Sequence, residues 1–334
     1  MLLNLFFGFI FGYLLLQARL HRFNTIGGMA TLEDLTVAKA ILLALGVGTL
    51  LISLLVWLGV ANFSIRPVVM FPLAMGGVIF GIGMALLGYC PGTMVISAAE
   101  GSVDAWIGIL GGIIGGVTYY YAEPIFAPLV GSNFGNISLF SMVGSFNVVY
   151  WLLAFILSGV LIAIAFLLHR IEKGTNQKWI FAGVGLALLN GAMFMKLTGG
   201  THISASSFFP WAGGHLLGLT GTDWFARVNA SGSRLLFFLG GAFLSGLIFA
   251  LLRREFAFKV IHERWATYHG NSVVKRLVVA FIGGFLLLFG ARMAGGCTSG
   301  LVISGGMQVA VSSYLFAVFT FVGLLVTGHF FYRK

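Results

Sequence analysis

Apolar runs long enough to cross a bilayer recur from Leu2 to Phe331, separated by short polar connections. A span needs roughly 17–25 predominantly apolar residues, and its backbone must find its hydrogen bonds inside the segment. A chain built this way is restricted to an all-α integral membrane fold. Composition agrees: 59% of the 334 residues are hydrophobic and 8% are charged, against about 25% charged in soluble domains. No break in composition marks a second domain, so residues 1–334 are read as one membrane domain. The net charge of +10 lies mostly between the apolar runs, where it serves topology and contact with membrane lipid, not nucleic acid.

In chain order, the runs are Leu2–Ala18, Val37–Val60, Val68–Leu87, Val103–Tyr121, Val143–Leu168, Trp179–Met195, Leu235–Leu252, Leu277–Met293 and Val309–Phe331. The first has neither a basic leader nor a small-residue cleavage site, and is read as a retained helix. Thr93–Ala99 is too short to cross and reads as a half-helix dipping back into the membrane. Thr198–Ser207, rich in Gly, Ser and Thr, reads as another dipping segment. Gly108, Gly111, Gly112, Gly115 and Gly116 form a small-residue face on the fourth run that admits a close neighbour.

One short pattern occurs twice. Gly83 to Ser97 passes through Gly88-Tyr89-Cys90-Pro91-Gly92-Thr93, and Gly290 to Ser304 through Gly295-Gly296-Cys297-Thr298-Ser299-Gly300. With the two cysteines superposed, Gly83 meets Gly290, Gly88 meets Gly295, and Val95-Ile96-Ser97 meets Val302-Ile303-Ser304. These are the only cysteines in the chain. About nine spans, with the fifth as a linker, divide into a first repeat (1–122), a linking helix (143–169) and a second repeat (179–334). A single linking crossing inverts the second half. Inverted-topology repeats place their site near the midplane, between broken helices.

Alternating the loops between two sides collects Arg19, Arg22, Lys39, Arg170, Lys173, Lys178, Arg253, Arg254, Lys259, Arg264, Lys275, Arg276, Arg333 and Lys334 on one side. Arg66, Lys196, Arg227, Arg234 and Arg292 fall on the other. The positive-inside rule then puts the N-terminus outside and the C-terminus in the cytoplasm.

Non-helical backbone at membrane depth survives only where it is buried in protein or lines a cavity. Short helices starting at Thr93 and Ser299 aim free N–H groups back toward Cys90 and Cys297, an arrangement that attracts anions. Thr93, Thr298 and Ser299 add hydroxyl donors, and a thiol adds a soft, polarisable partner. The combination points to a small anion with an exposed sulfur. Arg292, beside the second motif, is placed to attract it, and His202 to line its path. Against this stands the common role of a membrane cysteine as a small packed hydrophobe. Glu100 and Asp104 are read as helix-capping carboxylates; His21, His169, His262 and His269 as loop residues. No Walker-type phosphate loop, HExxH or CxxC pattern is present, so the reading is a transporter with no metal and no cofactor, not an enzyme.

Gly290-Ala291-Arg292-Met293-Ala294-Gly295-Gly296-Cys297-Thr298-Ser299-Gly300 resembles the second-half signature of the YeeE/YedE family, sulfur-transport membrane proteins that include bacterial thiosulfate transporters. Gly88-Tyr89-Cys90-Pro91-Gly92-Thr93 is similar to its first-half signature. The resemblance implies uptake of thiosulfate or a related sulfur anion across a bacterial inner membrane. It further implies path cysteines at Cys90 and Cys297 that touch the sulfur, and a small cytoplasmic sulfur-carrier protein as recipient. Family uptake members carry a further cysteine after the first span, where this chain reads Ala18-Arg19-Leu20-His21-Arg22-Phe23. Leu301 stands where a histidine is frequent. Two other functions fit the residues: a membrane sulfur relay or redox protein with covalently reacting thiols, and a generic small-anion channel.

Overall fold

The computed structural model describes residues 1–172 and 176–333; Lys173 and Lys334, counted above in the charge pattern, lie outside them. Among the described residues, fourteen α-helices, one π-helical segment and three short 3-10 turns account for the fold. They are α1 Leu2–Gln17, α2 Phe23–Ala30, α3 Thr36–Trp57, α4 Met70–Leu87, α5 Pro91–Ala99, α6 Val103–Phe126, α7 Leu139–Val143 and α8 Val148–Glu172. Then follow α9 Lys178–Phe194, α10 Phe208–Leu216, α11 Asp223–Leu252, α12 Glu263–His269, α13 Val273–Met293, the π-helical segment Thr298–Gly305, and α14 Val311–Phe331. Among the described residues, seven helices are long and apolar enough to cross a membrane: α3, α4 continued by α5, α6, α8, α11, α13 and α14. The expected first and sixth spans are helical too, but α1 and α9 have 16 and 17 residues. At 1.5 Å per residue each reaches only about 24–26 Å.

Several boundaries differ from the expected ones, each for a local reason. α11 begins at Asp223, not Leu235, because Thr222 caps it: its Oγ1 accepts from the Phe225 N–H at 3.1 Å. The polar first turns still bury Trp224, Phe225 and Val228. α8 begins at Val148, not Val143, because Gly144 ends α7 in the left-handed conformation, φ +82°. The connection expected from Arg253 to Arg276 contains α12, and α13 starts early enough that Arg276 lies inside it, fully buried.

Four helices make the centre. α4 packs on α13 and α14, and α13 packs on α4 and α6. The glycine face of α6 does what its spacing suggested. A Cβ on Gly111 or Gly115 would lie 2.2 Å from the carbonyl oxygens of Phe281 and Phe285, so only glycine lets α6 lie against the α13 backbone. Gly81 and Gly323 hold α4 and α14 together in the same manner. Outside this centre, α1 pairs with α11 and α3 with α9, while α8 packs mainly on α3 and shows an apolar face outward. One face of the bundle carries the α1–α2 connection, the 253–272 loop and the Ser102–Lys259 bridge. It holds Arg22, Arg253, Lys259, Arg264 and Lys275, and is called the basic face below. The opposite face carries the bridges Ala61–Met195, Val69–Asn133 and Ser138–Ala310.

Candidate functional site

Both motifs break a long helix with a left-handed glycine and restart a short helix from a cysteine. α4 ends at Gly88, φ +80°, where a Cβ would sit 2.1 Å from the Phe23 ring. Cys90 is extended and caps α5. Its Sγ accepts from the Thr93 N–H at 3.5 Å, and its own N–H donates to Thr93 Oγ1 at 2.8 Å. Pro91 occupies the first helical position, where its missing N–H costs nothing. The helix therefore starts at Pro91, two residues before the expected Thr93. In the second copy Gly295 has φ +78°, and extended Cys297 precedes the π-helical segment. Cys297 Sγ lies 3.2 Å from Ser299 Oγ. The matched serines anchor both short helices. Ser97 Oγ donates to the His21 carbonyl at 2.7 Å, and Ser304 Oγ reaches the Ile203 carbonyl at 2.8 Å and Asn190 Oδ1 at 3.0 Å.

Two cavities flank the π-helical segment. On its basic-face side lies a mostly apolar cavity of about 70 Å³, walled by Phe11, Leu15, Met29 and Ile41 among others. Cys90, Thr93, Thr298, Ser299 and Thr320 supply its polar atoms. On the other side is a narrow polar cavity of about 20 Å³, lined by Arg66, His202, Gly296, Gly300, Gln308 and several serines. Cys297 lines neither; it is fully buried in the wall between them. Gly88, Pro91, Gly92 and Arg292 line neither as well. A Cβ on Gly92 would come 3.1 Å from the Phe11 ring, so its bareness leaves room for α1. Arg292 has its Nε buried and without a hydrogen-bond partner among the described residues.

The first motif is braced by a buried ionic cluster that the sequence did not reveal. Arg276 on α13 donates to Asp104 Oδ2 from Nε at 3.0 Å, and to the Leu86 and Leu87 carbonyls at 3.1 and 2.7 Å. It thus closes the open end of α4, one residue before Gly88. His262 Nε2 lies 3.2 Å from Asp104 Oδ1 and 2.9 Å from the hydroxyl of Tyr89, the neighbour of Cys90. Asp104 is therefore an ion-pair partner on α6, not a helix cap. Glu100 pairs with buried His21 at 2.8 Å. Burial pushes the Glu100 carboxyl up, but His21, Arg22 and Arg253 outweigh it and hold it below the usual range. His202 is held down to about 4, first by burial and then by the charges of Arg234 and Arg66, so its imidazole is neutral at pH 7.

The fold and these paired motifs define an all-helical, multi-pass membrane protein with two short helices that each start from a cysteine beside its internal cavities. The chain belongs to the sulphur-transport family, whose model matches residues 22–326. It is 25% identical to the thiosulfate transporter TsuA of Spirochaeta thermophila over 354 aligned positions, covering 99% of both chains. It is also 31% identical to the probable transporter YedE of Escherichia coli over 157 positions, 45% of this chain and 38% of that one.

Proposed function

We propose that this protein takes up thiosulfate, or a closely related sulfur anion, across a bacterial inner membrane between the two short helices that start from Cys90 and Cys297. The observation that carries the reading is the position of the two short helices: their N-terminal residues Cys90, Thr93, Thr298 and Ser299 line one cavity. The dipole at each helix start favours an anion, the Cys90 cap already using the first N–H groups of α5, and the thiol favours its sulfur. Similarity along the full length of a protein named as a thiosulfate transporter supports the substrate class. In this reading Cys297 is the inner wall of the path and meets the cargo only when the wall between the cavities opens. Gly88, Pro91 and Gly92 set the Cys90 turn; Gly296, Thr298, Ser299 and Gly300 set the second. Arg292 and His202 serve the approach from the opposite face.

The proposed frame is nine crossings, with residues 1–122 and 179–334 as inverted repeats around the linking helix 143–169. It is supported by register: Gly83 packs on Gly283 and Leu287, and Gly290 on Gly76 and Phe80, contacts that interchange when 207 is added or subtracted. The basic face is then cytoplasmic, with the N-terminus outside and the C-terminus inside. A small sulfur-carrier protein is the proposed recipient there. Proteoliposomes holding the native chain should accumulate sulfur-labelled thiosulfate well above empty vesicles. Equal counts would contradict transport, and a persulfide on Cys90 or Cys297 by mass spectrometry would favour a covalent relay instead.

A further inference from the structure

The polar cavity on the face opposite the basic one has a wall unlike that of the thiol-lined cavity. Arg66 is its cation. The Arg66 backbone is pinned: Ser312 Oγ donates to its carbonyl at 2.9 Å, and Gln308 holds Ser64 by bonds of 2.6 and 3.2 Å. Its exposed guanidinium has no ion-pair partner among the described residues, and no carboxylate lines the cavity. Ser313 is 1% exposed, lines the same cavity, and its Oγ has no hydrogen-bond partner. A buried hydroxyl left unpaired is costly unless something fills the site. His202, neutral and flanked by Phe194, adds a ring nitrogen, and Ser204 a hydroxyl. Gly300 keeps the floor open, since a Cβ there would stand 3.1 Å from Ser204 Oγ.

These are donors for hard oxygen atoms. A guanidinium fork matches two oxygens of a tetrahedral oxyanion, and no thiol lines this wall. We infer that Arg66, Ser313, His202 and Ser204 form an outer recognition site for the oxygen-bearing end of a tetrahedral sulfur oxyanion, separate from the thiol-lined cavity. The inference rests on the transport reading above and divides its selectivity into two stages. The outer site reads oxygens, and so admits sulfate as well as thiosulfate. The cavity behind it reads the exposed sulfur, which sulfate lacks.

Titration calorimetry on the purified full-length chain in detergent, with thiosulfate and sulfate as probes, tests this. Both anions should bind the native chain. Arg66→Gln should weaken both anions by about tenfold or more, as expected for loss of a charged hydrogen-bonding group, with Arg66→Lys recovering part of the loss. Ser313→Ala should weaken binding severalfold without lowering the melting temperature, since its hydroxyl has no partner to lose. Native affinity in both Arg66→Gln and Ser313→Ala would overturn the site, as would a native chain that binds neither anion. Uptake kinetics separate the two readings. Thiosulfate uptake that Arg66→Gln leaves unchanged in KM overturns the site and leaves transport standing. Arg66-dependent binding without any uptake overturns transport and leaves the site standing.

Discussion

Gly83 and Gly290 stand 207 residues apart and are held by each other's helix in the same way. A Cβ on Gly83 would lie 2.4 Å from the Leu287 nitrogen and 2.7 Å from the Gly283 oxygen. One on Gly290 would lie 2.5 Å from the Phe80 nitrogen and 2.6 Å from the Gly76 oxygen. Backbone cannot yield as a side chain can, so Gly83→Ala and Gly290→Ala should each destabilise by at least about 1–3 kcal/mol, and by similar amounts. Gly240→Ala on α11, with nothing within 4 Å, should be neutral or slightly stabilising. Thermal unfolding in detergent makes the comparison.

Gly88 and Gly295 are matched in conformation but not in surroundings. Both are left-handed, so alanine strains each by about 1–2 kcal/mol. Only Gly88 also meets a neighbour, the Phe23 ring, whereas Gly295 has open space. Gly88→Ala should therefore lower both the melting temperature and thiosulfate uptake more than Gly295→Ala. Equal losses would mean that Phe23 moves aside freely.

Much of this was legible in the residues. The apolar runs, the two cysteine turns and the close-packing glycines of α6 are local patterns, and each marks a helix or a contact. The Asp104–Arg276 pair was not legible, because its partners are 172 positions apart and each read as an ordinary charge near a helix end. Arg66 looked like a topology marker before Pro67. Its place at a cavity depends on another part of the chain, where Ser312 holds its carbonyl and Gln308 holds the nearby Ser64 backbone. The early start of α11 was hidden because polar residues diluted its first turns, and only Trp224, Phe225 and Val228 face inward there.

The ionic cluster behind Cys90 should be essential. Asp104→Asn leaves the Arg276 guanidinium buried without its counter-charge, a change that costs about 3–5 kcal/mol. Arg276→Gln also uncaps α4 beneath Gly88. The double variant should be less unstable than the sum of the two, as for any directly coupled pair. A double-mutant cycle by thermal unfolding that came out additive would mean that the two groups do not act together.

His202 gives a pH signature. Its imidazole takes a proton near 6.5 in the unfolded chain but only near 4 in the folded one. Between those values the unfolded state binds more protons, so stability should fall as pH drops from 6.5 toward 4, and His202 should contribute no slope above 6.5. His202→Gln should flatten that acid limb while leaving the melting temperature at pH 7.5 nearly unchanged. An unaltered limb would assign the acid sensitivity to other groups.

The most direct test of the central claim is initial-rate uptake of sulfur-labelled thiosulfate into proteoliposomes by the native chain, Cys90→Ser and Cys297→Ser, each shown to be folded by its melting temperature. A thiol-lined path is expected to give strong uptake by the native chain and a loss of at least about tenfold in both variants. Full uptake by both folded variants would contradict it and leave the two cysteines as packing residues.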